Sequence, residues 1–138
     1  MRFWDSSALV PLLVVEPEST AVQRLYDEDG SVFAWWGTEV ECVSAIARRE
    51  RAGAPRGRIA DAYARLGDLV VRWQEIEPSE TLRKSAARLL RVHDLRAGDS
   101  LQLAAALSSA ASPESLPFVT LDERLRLAAE REGFSVLP

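Results

Sequence analysis

The sequence predicts an α/β fold with a central parallel sheet of about 4–5 short strands flanked by helices. Short runs rich in β-branched and aromatic residues alternate with longer segments of helical pattern along all 138 residues. No linker or internal repeat interrupts this alternation. Alternating strands and helices are typical of parallel sheets covered on both faces, which makes three layers. At this length we expect one domain, residues 1–138, with a single core.

The strands are predicted from apolar runs bounded by turn residues such as Asp29-Gly30. In chain order they are Phe3 to Asp5, Val32 to Trp35, a strand within Leu69 to Ile76, Phe118 to Leu121, and Phe134 to Leu137. Ligands of such sheets bind beyond the carboxyl ends of the strands. Residues at those ends are therefore the first candidates for function.

Helices are predicted for most of the segments between strands, and start and stop signals indicate where they begin and end. They run from about Ser7, from about Ser19 to Asp29, from Thr38 to about Arg51 with Gly53 after it, from Pro55 to about Asp68, from Pro78-Ser79-Glu80, from Ala97 to Ala111, and from Leu125 to Glu132, while Ser112 to Pro117 is loop. The helix from Ala97 is almost wholly apolar or small, so we expect it to be buried on most sides.

Four acidic residues lie where strand-like runs end or where a buried helix begins. They are Asp5 in WDSSALV, Glu41 in GTEVECVSA, Asp99 in RAGDSLQLAAA and Asp122 in FVTLDERL. An ionised carboxylate in apolar surroundings needs a compensating charge or several donors. A divalent cation supplies that compensation to a cluster of carboxylates. The pattern therefore predicts a metal site.

Three of the acids also have a structural interpretation as helix caps. Asp5 can satisfy donors of the helix that follows it. Asp99 with Gln102 has the spacing of a capping box, and so has Thr120 with Glu123. The second box would leave Asp122 in the first turn of the helix, where it interacts with the helix dipole. Capping does not explain why these acids bracket such buried segments.

The fourth acid, Glu41, has its own alternatives. It can be an ordinary exposed helix residue, or it can pair with Arg48 two turns further on. Its neighbours at the next helical turn are Ser44 and Ala45. Side chains this small leave room for a ligand beside the carboxylate.

The composition excludes several other kinds of site. Cys42 and His93 are the only residues of their types, so neither a Cys–His zinc set nor a histidine-based catalytic triad is available. We expect His93, in a polar segment, on a helix surface. A lone cysteine makes no internal disulfide, which fits a reducing cytosol. The apolar run Ala8 to Val15 is too short to span a bilayer, so we expect a cytoplasmic protein without a membrane segment.

Positive charge is nearly all arginine, although the formal net charge is −4. One stretch, which we expect to be a helix end and the following loop, carries Arg48, Arg49, Arg51, Arg56 and Arg58. Cations at a helix C-terminus are favoured by the helix dipole. Arginine also suits phosphate recognition. Both interpretations of this stretch stay open.

Aromatic residues invite a base-stacking role. We favour core or interface packing for Trp35, Trp36 and Trp73, and core packing for Trp4, because they lie in or beside predicted strands. The apolar helices between Ala8 and Tyr26 are predicted to leave a groove for a partner.

Four blocks of this chain, FWDSSALVPLL, TEVECVSAIARRE, LRAGDSLQLAAA and FVTLDERLRLAAEREGF, resemble the PIN-domain ribonucleases, and within them the VapC-type toxins of bacterial toxin–antitoxin pairs. The order and spacing of the blocks match too, and the resemblance covers essentially the whole chain. It implies a three-layer PIN-like domain. It also implies that the metal-binding acids are Asp5, Glu41, Asp99 and Asp122, with Ser7 and Thr120 as supporting hydroxyls. Glu39 competes with Glu41, which the distance to SAIAR favours, and Asp94 is a weaker rival to Asp99.

The resemblance further implies an activity and partners. The expected activity is cleavage of RNA by a Mg²⁺- or Mn²⁺-dependent endoribonuclease that leaves 5′-phosphate and 3′-hydroxyl ends. Either two ions, or one ion with a second recruited by substrate, would lie among the carboxylates. The expected partners are a cognate antitoxin protein and a second copy in a homodimer. The alternative is a catalytically inactive PIN-like module that acts only through antitoxin or RNA contacts.

Overall fold

The computed structural model describes all 138 residues, Met1–Pro138, and confirms the predicted α/β class. The five strands are β1 Arg2–Trp4, β2 Val32–Trp35, β3 Gln74–Ile76, β4 Phe118–Val119 and β5 Val136–Leu137. The seven α-helices are α1 Ser6–Leu13, α2 Ser19–Glu28, α3 Thr38–Arg51, α4 Arg56–Val70, α5 Glu80–Val92, α6 Ala97–Ser109 and α7 Glu123–Arg131, and a 3₁₀ turn spans Pro113–Ser115.

The sheet is parallel throughout, in the order β3-β2-β1-β4-β5. Strand β1 lies at its centre, where Phe3 pairs with Phe33 on one side and Phe118 on the other. From β1 the chain proceeds outward through β2 and β3, and it resumes on the opposite side with β4 and β5. The topological switch point therefore lies between β1 and β4, the place where open α/β sheets form a binding crevice.

The sheet separates two apolar clusters, one on each face, instead of enclosing the single core we expected. Neighbouring strand residues point to opposite faces. Trp4 and Val119 thus join the cluster that includes residues of α1 to α4, while Phe3 and Phe118 join that of α5 to α7. The rings of Phe3 and Phe118 stack at 5.0 Å between centroids. This alternation accounts for the three layers.

Helix α6 is buried on most sides, as its composition predicts. Leu103, Ala104, Ala105 and Ala106 are all fully buried. The small side chains allow α5 and strand β2 to pack closely against the helix, and burial of Leu103 contributes about 2 kcal/mol. Because α6 is fixed on two sides, its first turn has a well-defined position relative to the sheet.

Most predicted boundaries agree within two or three residues, and the third strand lies within the predicted segment Leu69 to Ile76. Helix α4 continues to Val70, and β3 begins only at Gln74. Leu69 and Val70 pack against the core from the helix. A short apolar run is ambiguous between helix and strand, and here helical packing wins. The stop signal after α3 was correct, because Gly53 has a φ of 92°, which glycine adopts without strain.

The prediction for His93 was wrong. It follows the last turn of α5, its side chain is only 5% exposed, and its Nε2 lies 2.8 Å from Oε1 of Glu132 at the end of α7. Arg88 donates two hydrogen bonds to the same carboxylate. Burial raises the pKa of Glu132, but the bonds from Arg88 and His93 outweigh burial and lower it overall. A histidine facing α7 is therefore structural.

The packing predicted for Trp4, Trp35 and Trp73 is confirmed, whereas for Trp36 core packing is wrong and interface packing stays a prediction. Trp4, Trp35 and Trp73 are buried, although Trp73 lies in the turn before β3 and not within a strand. Trp36 is 53% exposed because it follows the end of β2. No helix combines the length and the apolar character needed to cross a membrane.

Candidate acidic site at the carboxyl edge of the sheet

All four predicted acids line one cleft of about 670 Å³, namely Asp5, Glu41, Asp99 and Asp122. The two rivals do not: Glu39 is exposed elsewhere on α3, and Asp94 is exposed and lies 3.9 Å from Arg124. A fifth acid, Glu16, also lines the cleft, but it forms a salt bridge with Arg49. The four without such a partner come from the ends of β1 and β4 and from the first turns of α3 and α6.

Asp5 follows β1 directly and caps α1. Its Oδ2 accepts a hydrogen bond from the Ser7 backbone N–H at 3.2 Å, and its Oδ1 accepts one from the Ser7 hydroxyl at 2.8 Å. It is only 3% exposed. Burial raises the pKa of Asp5 from 3.8 to about 7 against the opposing bonds from Ser7 and Thr120, and the charge of Glu41 raises it further. The helix-cap interpretation is thus correct, but capping leaves the charge itself uncompensated.

Ser7 and Thr120 join the ends of the two central strands. Their hydroxyl oxygens lie 3.2 Å apart. The Leu121 N–H donates to the Ser7 oxygen at 2.9 Å, and the Asp122 N–H donates to Thr120 Oγ1 at 3.1 Å. Thr120 therefore serves this turn and forms no capping box. The two hydroxyls hold the segment that carries Asp122 against the start of α1.

Glu41 lies in the first turn of α3 and is half-buried. Its Oε2 accepts a hydrogen bond from Ser6 at 2.6 Å, and its Oε1 accepts one from Gln102 at 3.2 Å. Burial raises the pKa of Glu41, and the charge of Asp99 raises it too. It forms no salt bridge with Arg48, and the small Ser44 and Ala45 line the cleft beside it, as the sequence suggested.

The capping box predicted for Asp99 and Gln102 does not form. Helix α6 is preceded by Arg96 without a side-chain cap, and Gln102 instead contacts Thr38 and Glu41. Burial raises the pKa of Asp99, with a further increase from the charge of Asp122. Asp99 has only a backbone contact with Arg96, the N-cap residue of α6, and this contact lowers its pKa less than burial raises it.

Asp122 is the N-cap of α7, where the sequence suggested only a dipole interaction. Its Oδ1 accepts a hydrogen bond from the Leu125 N–H at 2.8 Å. The cap position fixes the carboxylate at the end of β4 and at the mouth of the cleft. Helix α7 consequently begins at Glu123, two residues before the predicted start.

The acids interact electrostatically as a row: Asp5 with Glu41, Glu41 with Asp99, and Asp99 with Asp122. As the side chains stand, no three His, Cys, Asp or Glu groups form a ready metal-binding set. The donors are nevertheless all hard oxygen atoms, the type that Mg²⁺ and Mn²⁺ prefer. Like charges in a row also disfavour ionisation, and a cation between them relieves that cost.

Only part of the arginine stretch lies at the acidic cleft. Arg48 and Arg49 line the cleft, joined by Arg96, which the sequence analysis did not single out. Arg48 and Arg96 make no salt bridge, whereas Arg49 pairs with Glu16. Arg56 and Arg58 lie in the first turn of α4 and not in a loop. They do not line the acidic cleft.

Two contacts of Glu41 were missed at the sequence level. Ser6 is adjacent to an obvious candidate acid, and Gln102 is the one amide inside an apolar helix. A polar residue amid LQLAAA is a signal that it has a buried partner. The sequence does not say which partner, because Gln102 and Glu41 are separated by 61 residues.

The pattern of the PIN domain family matches residues 2–131 of this chain. The chain belongs to the PIN domain family. Among its relatives, ribonuclease VapC45 of Mycobacterium tuberculosis is 30% identical over 138 residues, which cover 99% of this chain and 94% of that protein. The resemblance seen in the four sequence blocks is thereby confirmed.

Solved structures have the same PIN fold. VapC20 of Mycobacterium tuberculosis, described as a toxin that cleaves the sarcin-ricin loop, has a TM-score of 0.68 at 21% identity, with 100% of both chains covered. FitAcB of Neisseria gonorrhoeae has a TM-score of 0.68 at 18% identity, with 100% of this chain and 97% of the other covered. At these identities the likeness concerns the fold alone.

Proposed function

We propose that this PIN domain is a divalent-metal-dependent endoribonuclease and the toxin of a type II toxin–antitoxin pair. The observation that carries the proposal is the meeting of Asp5, Glu41, Asp99 and Asp122 in one cleft at the switch point of the sheet. Relatives named as VapC ribonucleases, 30% identical over nearly the whole chain, support the same activity. A cytoplasmic location is part of the proposal.

The residues of the cleft fit Mg²⁺ or Mn²⁺ by their chemistry. The four acids supply hard oxygens, and burial, with a smaller contribution from neighbouring acids, raises the pKa of Asp5, Glu41 and Asp99. A bound ion would activate water and stabilise the negative charge that develops on the leaving oxygen. Because no three ligands converge as the side chains stand, ion binding would require side-chain movement.

The chain's own residues would orient the substrate. Ser7 and Thr120 fix Asp5 and the strand end before Asp122. Arg48 and Arg96, free of salt bridges at the cleft, would attract the phosphates of RNA. The acids and these two cationic side chains line the same cleft. The expected products carry 5′-phosphate and 3′-hydroxyl ends.

A separate groove supports the proposed antitoxin partner. It measures about 690 Å³, lies between α1, α2 and α4, and is lined in part by Leu12, Val14, Val15 and Leu69. Val15 is 87% exposed. An apolar segment of a small partner would bury this surface. The homodimer that the resemblance implies belongs to the same proposal.

The test compares two acids of the α6 region. Asp99→Asn removes a cleft charge, while Asp94→Asn removes an exposed acid outside the cleft. We expect purified wild type and Asp94→Asn to cut a generic single-stranded RNA with manganese and not with EDTA, and Asp99→Asn to lose at least about a hundredfold in rate, the order of magnitude expected when a charge-stabilising group is lost.

Two outcomes would contradict the proposed ribonuclease or its site. Manganese-dependent cleavage that survives in Asp99→Asn would remove Asp99 from the site. A wild-type protein that binds RNA but never cleaves it would favour the inactive module instead.

A further inference from the structure

The carboxylate of Glu41 accepts hydrogen bonds from two side chains that belong to two other helices. Ser6 of α1 donates to Oε2 at 2.6 Å, and Gln102 of α6 donates to Oε1 at 3.2 Å. Helix α1 also carries Asp5 at its cap, and α6 carries Asp99 in its first turn. The two bonds therefore connect the three helices whose N-terminal ends present three of the cleft acids.

Gln102 is itself held in one orientation. It is only 1% exposed, and its amide contacts the fully buried Thr38, with the amide nitrogen 3.1 Å and the amide oxygen 3.4 Å from the hydroxyl. An ionised carboxylate only accepts hydrogen bonds, so the nitrogen of the amide must face Glu41. Thr38 and Glu41 lie one turn apart on α3, and together they fix both ends of the amide.

Packing alone does not explain a glutamine at this position. Its neighbours on α6, Leu103 and Ala104, are fully buried and apolar. Burial of an amide is unfavourable unless hydrogen bonds compensate it, and a methionine would fill a similar volume without that cost. The polar side chain is therefore explained by what it contacts, which are the Glu41 carboxylate and the Thr38 hydroxyl.

We propose that Gln102 and Ser6 are positioning residues that hold the Glu41 carboxylate in the orientation in which it binds a divalent cation. This inference rests on the metal-dependent function proposed above. Each oxygen of Glu41 receives one donor and keeps lone pairs for an ion in the cleft. Without the two donors the long side chain rotates freely and must be ordered again when the ion binds. Removal of such supporting contacts typically weakens metal affinity about 10–100-fold.

The experiment measures manganese affinity separately from stability. The test variants are Gln102→Met and Ser6→Ala, and their matched controls are Leu103→Met and Ser108→Ala. Leu103 is a buried neighbour on the same helix, and the Ser108 hydroxyl donates only to the Ala105 carbonyl of its own helix. Isothermal titration with Mn²⁺ gives Kd for the full-length chain, and melting in EDTA gives the stability.

We expect Kd for Mn²⁺ to rise about 10–100-fold in Gln102→Met and several-fold in Ser6→Ala, and to stay within about twofold of wild type in both controls, whatever their melting temperatures. In a Glu41→Gln background, the Gln102→Met change should have no further effect on Kd, because the two residues act through one contact.

The outcomes distinguish this inference from the function on which it rests. If wild type binds no Mn²⁺ and cuts no RNA, the proposed function fails and the inference with it. If wild type does both, but Gln102→Met and Ser6→Ala bind Mn²⁺ as wild type does, the positioning role alone is wrong. Should Gln102→Met not fold, Ser6→Ala decides the question by itself, because the Ser6 hydroxyl makes the other contact.

Discussion

At the scale of single residues, Asp5 both forms a helix-capping hydrogen bond and buries a carboxylate whose ionisation is unfavourable. It caps α1 through the Ser7 N–H, yet its burial raises its pKa to about 7. Folding raises the pKa of this carboxyl group, so the group contributes its full stabilisation only at pH values below its unfolded pKa of 3.8. That contribution is lost as the pH rises through the folded pKa of about 7. The shift corresponds to a loss on the order of 4 kcal/mol.

Asp5→Asn separates the cap from the charge. Asparagine caps helices about as well as aspartate and does not titrate. In EDTA we expect the variant to match wild type in stability near pH 4 and to exceed it increasingly up to about pH 7, after which the difference levels off. Urea unfolding of both proteins between pH 4 and 8 measures this. A variant that is less stable at pH 7.5 would mean that the ionised Asp5 side chain stabilises the fold, contrary to the cost expected from its burial. With manganese, the variant should lose the rise in melting temperature.

At this scale the sequence predicts the positions of residues beside strand ends, but not contacts between residues on different elements. Asp5 and Asp122 stand directly beside predicted strand ends, so their position at one edge of the sheet follows from the fold class. The partners of Gln102 and His93 do not, because both lie on other elements that only tertiary packing brings near. Patterns along a chain identify a buried polar group but not its acceptor.

At the scale of elements, the helix N-termini build the site. Helices α1 and α7 begin at capping acids of the cleft, and α3 and α6 carry theirs in the first turn. The partial positive charge of these helix ends favours negative groups nearby. Residues with capping potential could be recognised in the sequence, whereas the limits of β3 within Leu69 to Ile76 could not, since Leu69 and Val70 satisfied a strand pattern as well as a helical one.

Asp122 tests whether a cap and a metal ligand can be distinguished. Asp122→Ala should lower the free energy of unfolding in EDTA by about 1 kcal/mol through loss of the cap, and Asp122→Asn by much less. Ser79→Ala is the matched control, because Ser79 caps α5 by accepting from the Leu82 N–H and does not line the cleft.

Thermal unfolding with EDTA gives the stability of each variant, and unfolding with manganese gives the stabilisation by the metal. Both Asp122 variants should lose most of the manganese-induced stabilisation, and Ser79→Ala should retain it. An Asp122→Asn protein that manganese still stabilises as strongly as wild type would restrict Asp122 to its role as a cap.

At the scale of the whole molecule, the charge distribution matters more than the net charge of −4. A negatively charged protein that acts on RNA must offer local positive potential near its acids. Arg48 and Arg96 are exposed on the cleft and free of salt bridges, while Arg49 is engaged by Glu16. The composition shows the excess of arginine, but only the fold shows which arginines lie near the cleft.

We expect Arg48→Gln and Arg96→Gln each to weaken RNA binding and to reduce the slope of log K against log salt by about 1. Arg91→Gln, an exposed residue in the last turn of α5, serves as the control and should change neither quantity. Binding is measured by fluorescence anisotropy in the Asp99→Asn background, so that cleavage does not interfere. Equal slopes for all four proteins would exclude both arginines from phosphate contact.

The position of β1 between β2 and β4 bears on the order in which the cleft is assembled during synthesis. Translation proceeds from the N-terminus, so among the four acids Asp5 leaves the ribosome first and Asp122 last. Strand β1 gains its second neighbour only when β4 has emerged, and β4 in turn pairs with the C-terminal strand β5. A nascent or truncated chain therefore lacks one wall of the cleft. A chain that ends before β4 also lacks Asp122, one of the four acids of the cleft.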